Sequence, residues 1–352
     1  MNANLTGLSL FTGAGGMDVG FENAGVDIVF ANEIVAAAAD TYKANRDNCN
    51  MVNADVYSIL DTMGQYAGTD IVFGGPPCQG FSVAGKMDPN DERSKLIFTF
   101  LDVVERVRPR AFVMENVKAL GALEKWEPVR AKYLRRCEDL GYSVAYFILN
   151  ATEYGVPQKR ERVFFIGFRD HEIDRAKMEQ LLLDQKNQAP ILRDLLKPLG
   201  RAGSAENPNT CTARITFATN PIMRKSPYAG MYFNGQGRPM DIDGYANTLP
   251  ASMGGNKTPF IDEEYLHGDA DSDWVVDYHK GLMNGSITPE FCEAPKRLRR
   301  ITVKEAAKIQ TFPDDYIFCG NKGAVYTQIG NAVPCKLAES VAKAVVSYMT
   351  SC

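Results

Sequence analysis

Four groups in this sequence could do chemistry together: a thiol, a carboxyl beside an amide, a pair of guanidiniums and a glycine-rich turn. Cys78 stands in "FGGPPCQGFS" (73–82), directly after the apolar run "TDIVF". Proline fixes φ and gives up its amide donor, while glycine lets backbone or ligand approach closely. Gly74 to Pro77 should therefore form a defined turn that holds Cys78 at a sheet edge. A cysteine so placed is either a small buried hydrophobe or a nucleophile, and this stretch alone leaves both open. Glu115 and Asn116 end the apolar run in "AFVMENVKAL" (111–120). Ligands of open α/β sheets lie outside the carboxyl ends of the strands, so Cys78 and Glu115 can converge on one crevice. Arg160 and Arg162 in "QKRERVFFIG" (158–167) are two apart and lead into a strand, which predicts that both share one face. They read as an exposed face or as a clamp for an anion or carbonyl, and the thiol and carboxylate favour the clamp.

"SLFTGAGGMDVGF" (9–21) reads as a strand, a glycine turn and a helix start. Gly13-x-Gly15 opens a dinucleotide fingerprint, but Asp18 stands where the third glycine belongs, so a nicotinamide reading is imperfect and a simple tight turn competes with it. Glu33 ends the next strand, twenty residues after Gly13, where an acid commonly grips ribose hydroxyls. Asp55 lies near the end of the third strand-like run and suits an adenine amino group. Singly, either acid could be a solvated strand end; together they suggest an adenosine-bearing cofactor. The lysine-bearing phosphate loop G-x-x-x-x-G-K-[ST] is absent from the sequence.

These residues need a scaffold, and the first half supplies one. Short apolar runs, among them "GLSLF", "VDIVFANE", "DIVFGGPP", "RAFVMENV", "YSVAYFILN" and "RVFFIGF", alternate with helix-length segments. That pattern predicts a largely parallel, doubly wound sheet covered by helices. "SKLIFTFLDVVERVRP" reads as a covering helix stopped by Pro109. From Pro198 to Pro295 the chain is rich in Gly, Pro, Asn and Asp without a sustained helical period, which predicts a smaller, loop-rich, mostly β domain. Thr302 and Glu305 form a capping-box pair opening a helix that stops near Pro313. Val333, Leu337, Val341 and Val345, spaced by four, mark a final helix packed on a core. The expected division is 1–197 with 326–352 as one domain and 198–325 as the other.

With 352 residues and 45% hydrophobic content the chain can bury a sizeable core. Eight cysteines without a C-x-x-C pair, and three histidines, give neither zinc spacing nor a disulfide framework. The start "MNANLTGLSLF" carries no signal-peptide pattern, and no apolar stretch approaches membrane-spanning length. A reduced, cytoplasmic protein is the expectation. A net charge of −4 argues mildly against nucleic acid, yet "RVRPR", "RAKYLRR", "QKRER" and "KRLRR" are local basic clusters, and binding follows the local field.

"FTGAGGMDVGF", "GGPPCQGFS", "ENV", "QKRER", "RRITVKEAAKIQTFPDDY" and "QIGNAVP", in this order and spacing, resemble the DNA (cytosine-5)-methyltransferase family of bacterial modification enzymes. The resemblance spans most of the chain except the variable middle. It implies a Rossmann-like S-adenosylmethionine-dependent fold with a small target-recognition domain. It also implies methyl transfer to C5 of a cytosine flipped out of a short double-stranded DNA sequence. Cys78 matches the nucleophile that adds to C6, Glu115 the acid at N3, and Arg162 the donor at O2, with Arg160 beside it. Phe11 and the turn Gly13, Ala14, Gly15 and Gly16 match the wall around the methyl donor. Glu33 matches the ribose ligand, Asp55 the adenine partner, Pro77 an adenosine neighbour, and Asn331 the last motif.

The base that removes the C5 proton stays unassigned. Gln79, Gly80, Phe81, Ser82 and Gly85 match a loop closing over the flipped base, with Ser82 a phosphate contact. In the middle segment "TLPASMGG" matches a threonine-leucine mark, and Arg214, Arg224, Lys225, Arg238, Asn256 and Lys257 are types that reach bases or phosphates. The implied partner is DNA, bound by a monomer; a separately acting restriction endonuclease is left open. A transfer-RNA methyltransferase of the related eukaryotic type and a silent DNA- or S-adenosylmethionine-binding protein are the competing readings. The length of the middle segment weighs against the first, and the retained thiol, carboxyl and arginines against the second.

Overall fold

The computed structural model describes residues 5–47, 50–77 and 95–351. In chain order the first half runs β1 (Leu5–Leu10), α1 (Gly16–Asn23), β2 (Val26–Glu33), α2 (Ala36–Ala44), β3 (Met51–Asn53), α3 (Val56–Ile59), β4 (Ile71–Gly74), α4 (Leu96–Val107), β5 (Ala111–Val117), α5 (Lys118–Ala122), α6 (Glu127–Asp139), β6 (Ser143–Asn150), β7 (Gln158–Lys159), β8 (Glu161–Phe168) and α7 (Arg175–Leu183). Among the described residues seven of these strands form one sheet in the order β3-β2-β1-β4-β5-β8-β6. The sheet is parallel except for β8, which runs antiparallel to both neighbours.

Period-two alternation sorts the strand side chains onto two cores. Ala111 and Val113 face one side, where Phe164, Ile166 and Phe168 join Met17, Phe21, Met178 and the C-terminal helix. Phe112 and Met114 face the other, against Ile97, Phe100, Val104, Trp126 and Tyr133 from α4 and the segment through α6. The helix expected before Pro109 is α4; Arg108 ends it at φ 51°.

The remainder comprises α8 (Leu192–Leu196), β9 (Phe217–Ile222), β10 (Met231–Phe233), β11 (Ala246–Asn247), β12 (Phe260–Asp262), α9 (Glu263–His267), α10 (Trp274–Met283), β13 (Leu298–Arg300), α11 (Val303–Ile309), α12 (Lys322–Asn331) and α13 (Cys335–Thr350). Between 198 and 295 the strands are short, and α10, capped by Asp273 at Val275 N, is the longest regular element. The mostly β expectation is corrected accordingly: the segment is irregular chain with short strands and two helices. Its order comes from packing, with Phe217, Trp274 and Tyr278 stacked at centroid distances of 4.5–5.5 Å. Thr302 and Glu305 make the capping box at α11 as expected. Val333, Leu337, Val341 and Val345 are buried in the first core, so α13 returns to the sheet and covers α1. Gly20 permits that approach, because a Cβ there would stand 2.4 Å from Glu339 N.

Candidate active site

Every candidate at a strand end lies on the carboxyl edge of the parallel strands. β5 and β8 pair so that Val117 opposes Arg162 and Glu115 opposes Phe164, making Glu115 and Arg162 diagonal neighbours on one face. Arg162 Nε lies 2.9 Å from Glu115 Oε1, with both side chains mostly buried. Burial pushes the Glu115 carboxyl above its ordinary range, and the charges of Arg162 and then Arg160 pull it back. The acid is thus biased towards holding a proton beside a fixed cation.

β4 delivers the next piece. Asn116 Nδ2 donates to Pro76 O at 3.2 Å, and a Cβ built at Gly75 would stand 2.9 Å from Glu115 Oε2. Gly74 to Pro77 therefore runs directly alongside Glu115 and Asn116. Cys78, Gln79, Gly80, Phe81, Ser82 and Gly85 lie outside the described residues. Pro77 is described and exposed.

Arg160 and Arg162 take different hydrogen-bond partners, although the charges of both act on Glu115. β8 begins at Glu161, and Arg160 directly precedes it, its carbonyl accepting from Ala151 N at 2.9 Å. Arg160 is buried between β7 and β8 and donates to Leu249 O at 3.3 Å and Gly330 O at 3.2 Å. Its neighbour Gln158 donates to Gln310 Oε1 and accepts from Leu249 N, while Gln310 Nε2 donates to Ile329 O and Ala332 O. β7 and β11 pair alongside, and Thr248 Oγ1 reaches Lys159 O. Arg160 thus belongs to a buried polar seam joining the "TL" residues 248–249 to the "GNAVP" segment, and it positions these elements.

The glycine turn lies over β1. Phe11, Gly13 and Gly15 take positive φ of 53°, 57° and 81°. Gly13 N donates to Glu33 Oε2 and Val35 N to Glu33 Oε1, both at 2.8 Å. Asn32 Nδ2 bonds Val52 O and Ala54 O, tying the end of β2 to the end of β3 and fixing Glu33. Gly16 lies against the last motif: a Cβ there would stand 2.6 Å from Val333 O. That contact brings the Asn331 segment beside the turn, with Asn331 itself exposed at the end of α12. Ala14 is buried. Asp55 caps α3, accepting from Tyr57 N at 3.0 Å, and is exposed. Exposed Ile34 and Tyr57 flank the two carboxylates, an apolar contribution that sequence reasoning missed although each directly or closely follows its acid. Asp18, at the missing third glycine, is fully buried, accepts from Tyr42 OH at 3.1 Å and is pushed up to about 6 by burial.

Of the middle-segment candidates, Arg214, Arg224, Lys225, Asn256 and Lys257 are exposed and Arg238 is half-buried. Gly237 N bonds Asn256 O, and Gly235 packs on Asn256, so the loops carrying Arg238 and Asn256–Lys257 stand together. Arg214 lies 3.8 Å from Glu293.

The chain has an α/β fold that solved structures share. It superposes on the S. pombe Dnmt2 methyltransferase with a TM-score of 0.68 at 18% identity, covering 99% of each chain. The Entamoeba histolytica methyltransferase EhMeth gives 0.65 at 15%, covering 99% of each. In sequence, Type II methyltransferase M.MthTI of Methanothermobacter thermautotrophicus is 33% identical over 97% of this chain and 96% of its own. M.Eco47II of Escherichia coli is 34% identical over 98% and 79%, and M1.HphI of Haemophilus parahaemolyticus 31% over 99% and 88%. The family model of C-5 cytosine-specific DNA methylases matches residues 5–347, and the chain belongs to that family. It is a DNA (cytosine-5)-methyltransferase.

The residues at the glycine turn suit an adenosine-bearing methyl donor. Among the described residues a Cβ at Gly13 would meet nothing within 4 Å, so the turn is open to them beside Glu33. Among the described residues each Glu33 oxygen accepts one backbone amide, which leaves it a second lone pair for a hydroxyl. No helix among the described residues is long and apolar enough to cross a membrane.

Proposed function

We propose that this protein methylates C5 of a cytosine swung out of a specific short double-stranded DNA sequence, through a covalent bond between Cys78 and C6. The observation that carries this reading is the buried Glu115–Arg162 pair set against the backbone that leads towards Cys78. C5 of cytosine is a poor nucleophile. Addition of the Cys78 thiolate to C6 makes it enamine-like, and negative charge then builds at N3 and O2. Glu115, biased towards its protonated form, donates at N3, and Arg162, locked by Glu115, faces O2. S-adenosylmethionine supplies an electrophilic methyl group when bound. Gly13 to Gly16, Phe11, Glu33, Asp55, Pro77 and Asn331 are the residues proposed to hold it, with Glu33 on the ribose and Asp55 on the adenine amino group. Loss of the C5 proton to a base expels the Cys78 thiolate and restores the ring.

We assign catalysis and cofactor binding to 1–197 with 326–352, and target recognition to 198–325. Gln79, Ser82, Arg214, Arg224, Lys225, Arg238, Asn256 and Lys257 are the proposed DNA contacts. The enzyme works as a cytoplasmic monomer, and a restriction endonuclease cutting the same site is the companion to seek.

The covalent step is tested with DNA carrying 5-fluorocytosine, whose fluorine cannot leave as a proton does. Wild type with S-adenosylmethionine should form a denaturant-stable protein–DNA adduct, and Cys78→Ser should form none while still binding the cofactor. An adduct with Cys78→Ser, or none with wild type on DNA that it methylates, would contradict the mechanism.

A further inference from the structure

The glycine turn is braced from behind by a residue that lies 302 positions away in the chain. Tyr316 OH donates to Ala14 O, and Arg46 Nη1 donates to Tyr316 OH at 3.2 Å. Arg46 is itself fixed, gripping Glu22 through Nε and Nη2 at 2.6 and 2.7 Å and lying over the Tyr42 ring at 4.1 Å. The two groups fill the space a side chain at position 15 would take: a Cβ on Gly15 would stand 2.9 Å from both Arg46 Nη1 and Tyr316 OH. The segment holding Tyr316 is anchored independently. Asn45 and Ile317 exchange two hydrogen bonds, Cys319 N donates to Thr41 Oγ1, and the Tyr316 ring packs on Phe312 and Phe318.

We propose that Tyr316 and Arg46 are positioning residues of the methyl-donor site, holding the Ala14 carbonyl so that the turn keeps its ligand-ready backbone. The inference rests on the reading of Gly13 to Gly16 as the donor site. A chain of donors, guanidinium to phenol to carbonyl, polarises each bond in the same direction and strengthens it. The glycines leave this turn free to adopt other conformations, so the brace removes entropy that a bound ligand would otherwise have to remove. Tyr316 belongs to the 198–325 segment assigned to target recognition, so the brace would tie that segment to cofactor binding with no contact to the ligand needed.

The test is calorimetric binding of S-adenosylmethionine and S-adenosylhomocysteine to wild type, Tyr316→Phe, Arg46→Lys and Glu33→Ala, with amide exchange at Gly15 and Gly16 in the ligand-free protein. Tyr316→Phe removes one hydroxyl and keeps the ring. It should raise both dissociation constants about five- to tenfold, speed exchange in the turn, and leave turnover at saturating donor within twofold. Arg46→Lys should weaken binding less, and Tyr316→Phe should add little on top of it. Weakened binding by Glu33→Ala with unchanged affinity and exchange in Tyr316→Phe would overturn the brace alone. Unchanged affinity in both would overturn the donor-site reading and the brace with it.

Discussion

Arg162 Nε stands 2.9 Å from Glu115 Oε1, one diagonal step across two antiparallel strands. Neither residue alone explains the site. Burial alone raises this carboxyl's affinity for its proton and makes an isolated arginine costly, but paired they give a proton donor whose affinity a fixed cation tempers.

Replacing the acid by its amide keeps the shape and removes the exchangeable acid proton. Glu115→Gln should lower turnover by about a hundredfold or more and leave the donor dissociation constant within twofold. Turnover close to wild type would remove Glu115 from the chemistry.

Gly75 has no room for a side chain, because the added carbon would stand 2.9 Å from Glu115 Oε2. Gly75→Ala should displace the carboxyl and cut turnover about tenfold, since small misplacement of a reacting group costs rate. The melting temperature should hardly move. An undiminished rate would show that Glu115 tolerates displacement.

Arg160 is expected to act on stability through the seam it closes. Arg160→Met leaves the Leu249 and Gly330 carbonyls without their guanidinium donors and should cost about 2–4 kcal/mol in denaturant unfolding. A loss under about 0.5 kcal/mol would mean that the seam holds without it.

Asp18 gives the pH dependence. Its carboxyl rises from 3.8 to about 6 in the fold, so the folded state binds that proton more tightly than the unfolded chain. The resulting stabilisation is full below pH about 4 and is lost as pH rises towards 6 and beyond. Asp18→Asn does not titrate, so its stability relative to wild type should climb between pH 4 and 7, by at most about 3 kcal/mol. Parallel stability curves would contradict this.

Much of this was readable from the sequence because local patterns decided it. Glu33 ends β2, Glu115 lies two residues before the end of β5, and the capping pair Thr302 and Glu305 marks its helix directly. What stayed hidden depends on tertiary contact. The spacing of Arg160 and Arg162 gave no hint that Arg160 also bonds the Leu249 and Gly330 carbonyls, which come from distant parts of the chain. Helix α10 sits in Gly- and Asp-rich surroundings and carries Gly281 within it, and its apolar face is defined by an aromatic cluster distant in sequence. Tyr316 closes the motif "RRITVKEAAKIQTFPDDY", but its role was not legible there, since its partner Ala14 offers only a backbone carbonyl.

The most direct measurement incubates the purified protein with methyl-labelled S-adenosylmethionine and DNA of mixed sequence, maps 5-methylcytosine at base resolution, and assays total transfer RNA in parallel. The account predicts label in DNA, as 5-methylcytosine at one short recurrent site, and its loss in Cys78→Ser. Label confined to transfer RNA, or none in either nucleic acid while the cofactor still binds, would contradict it.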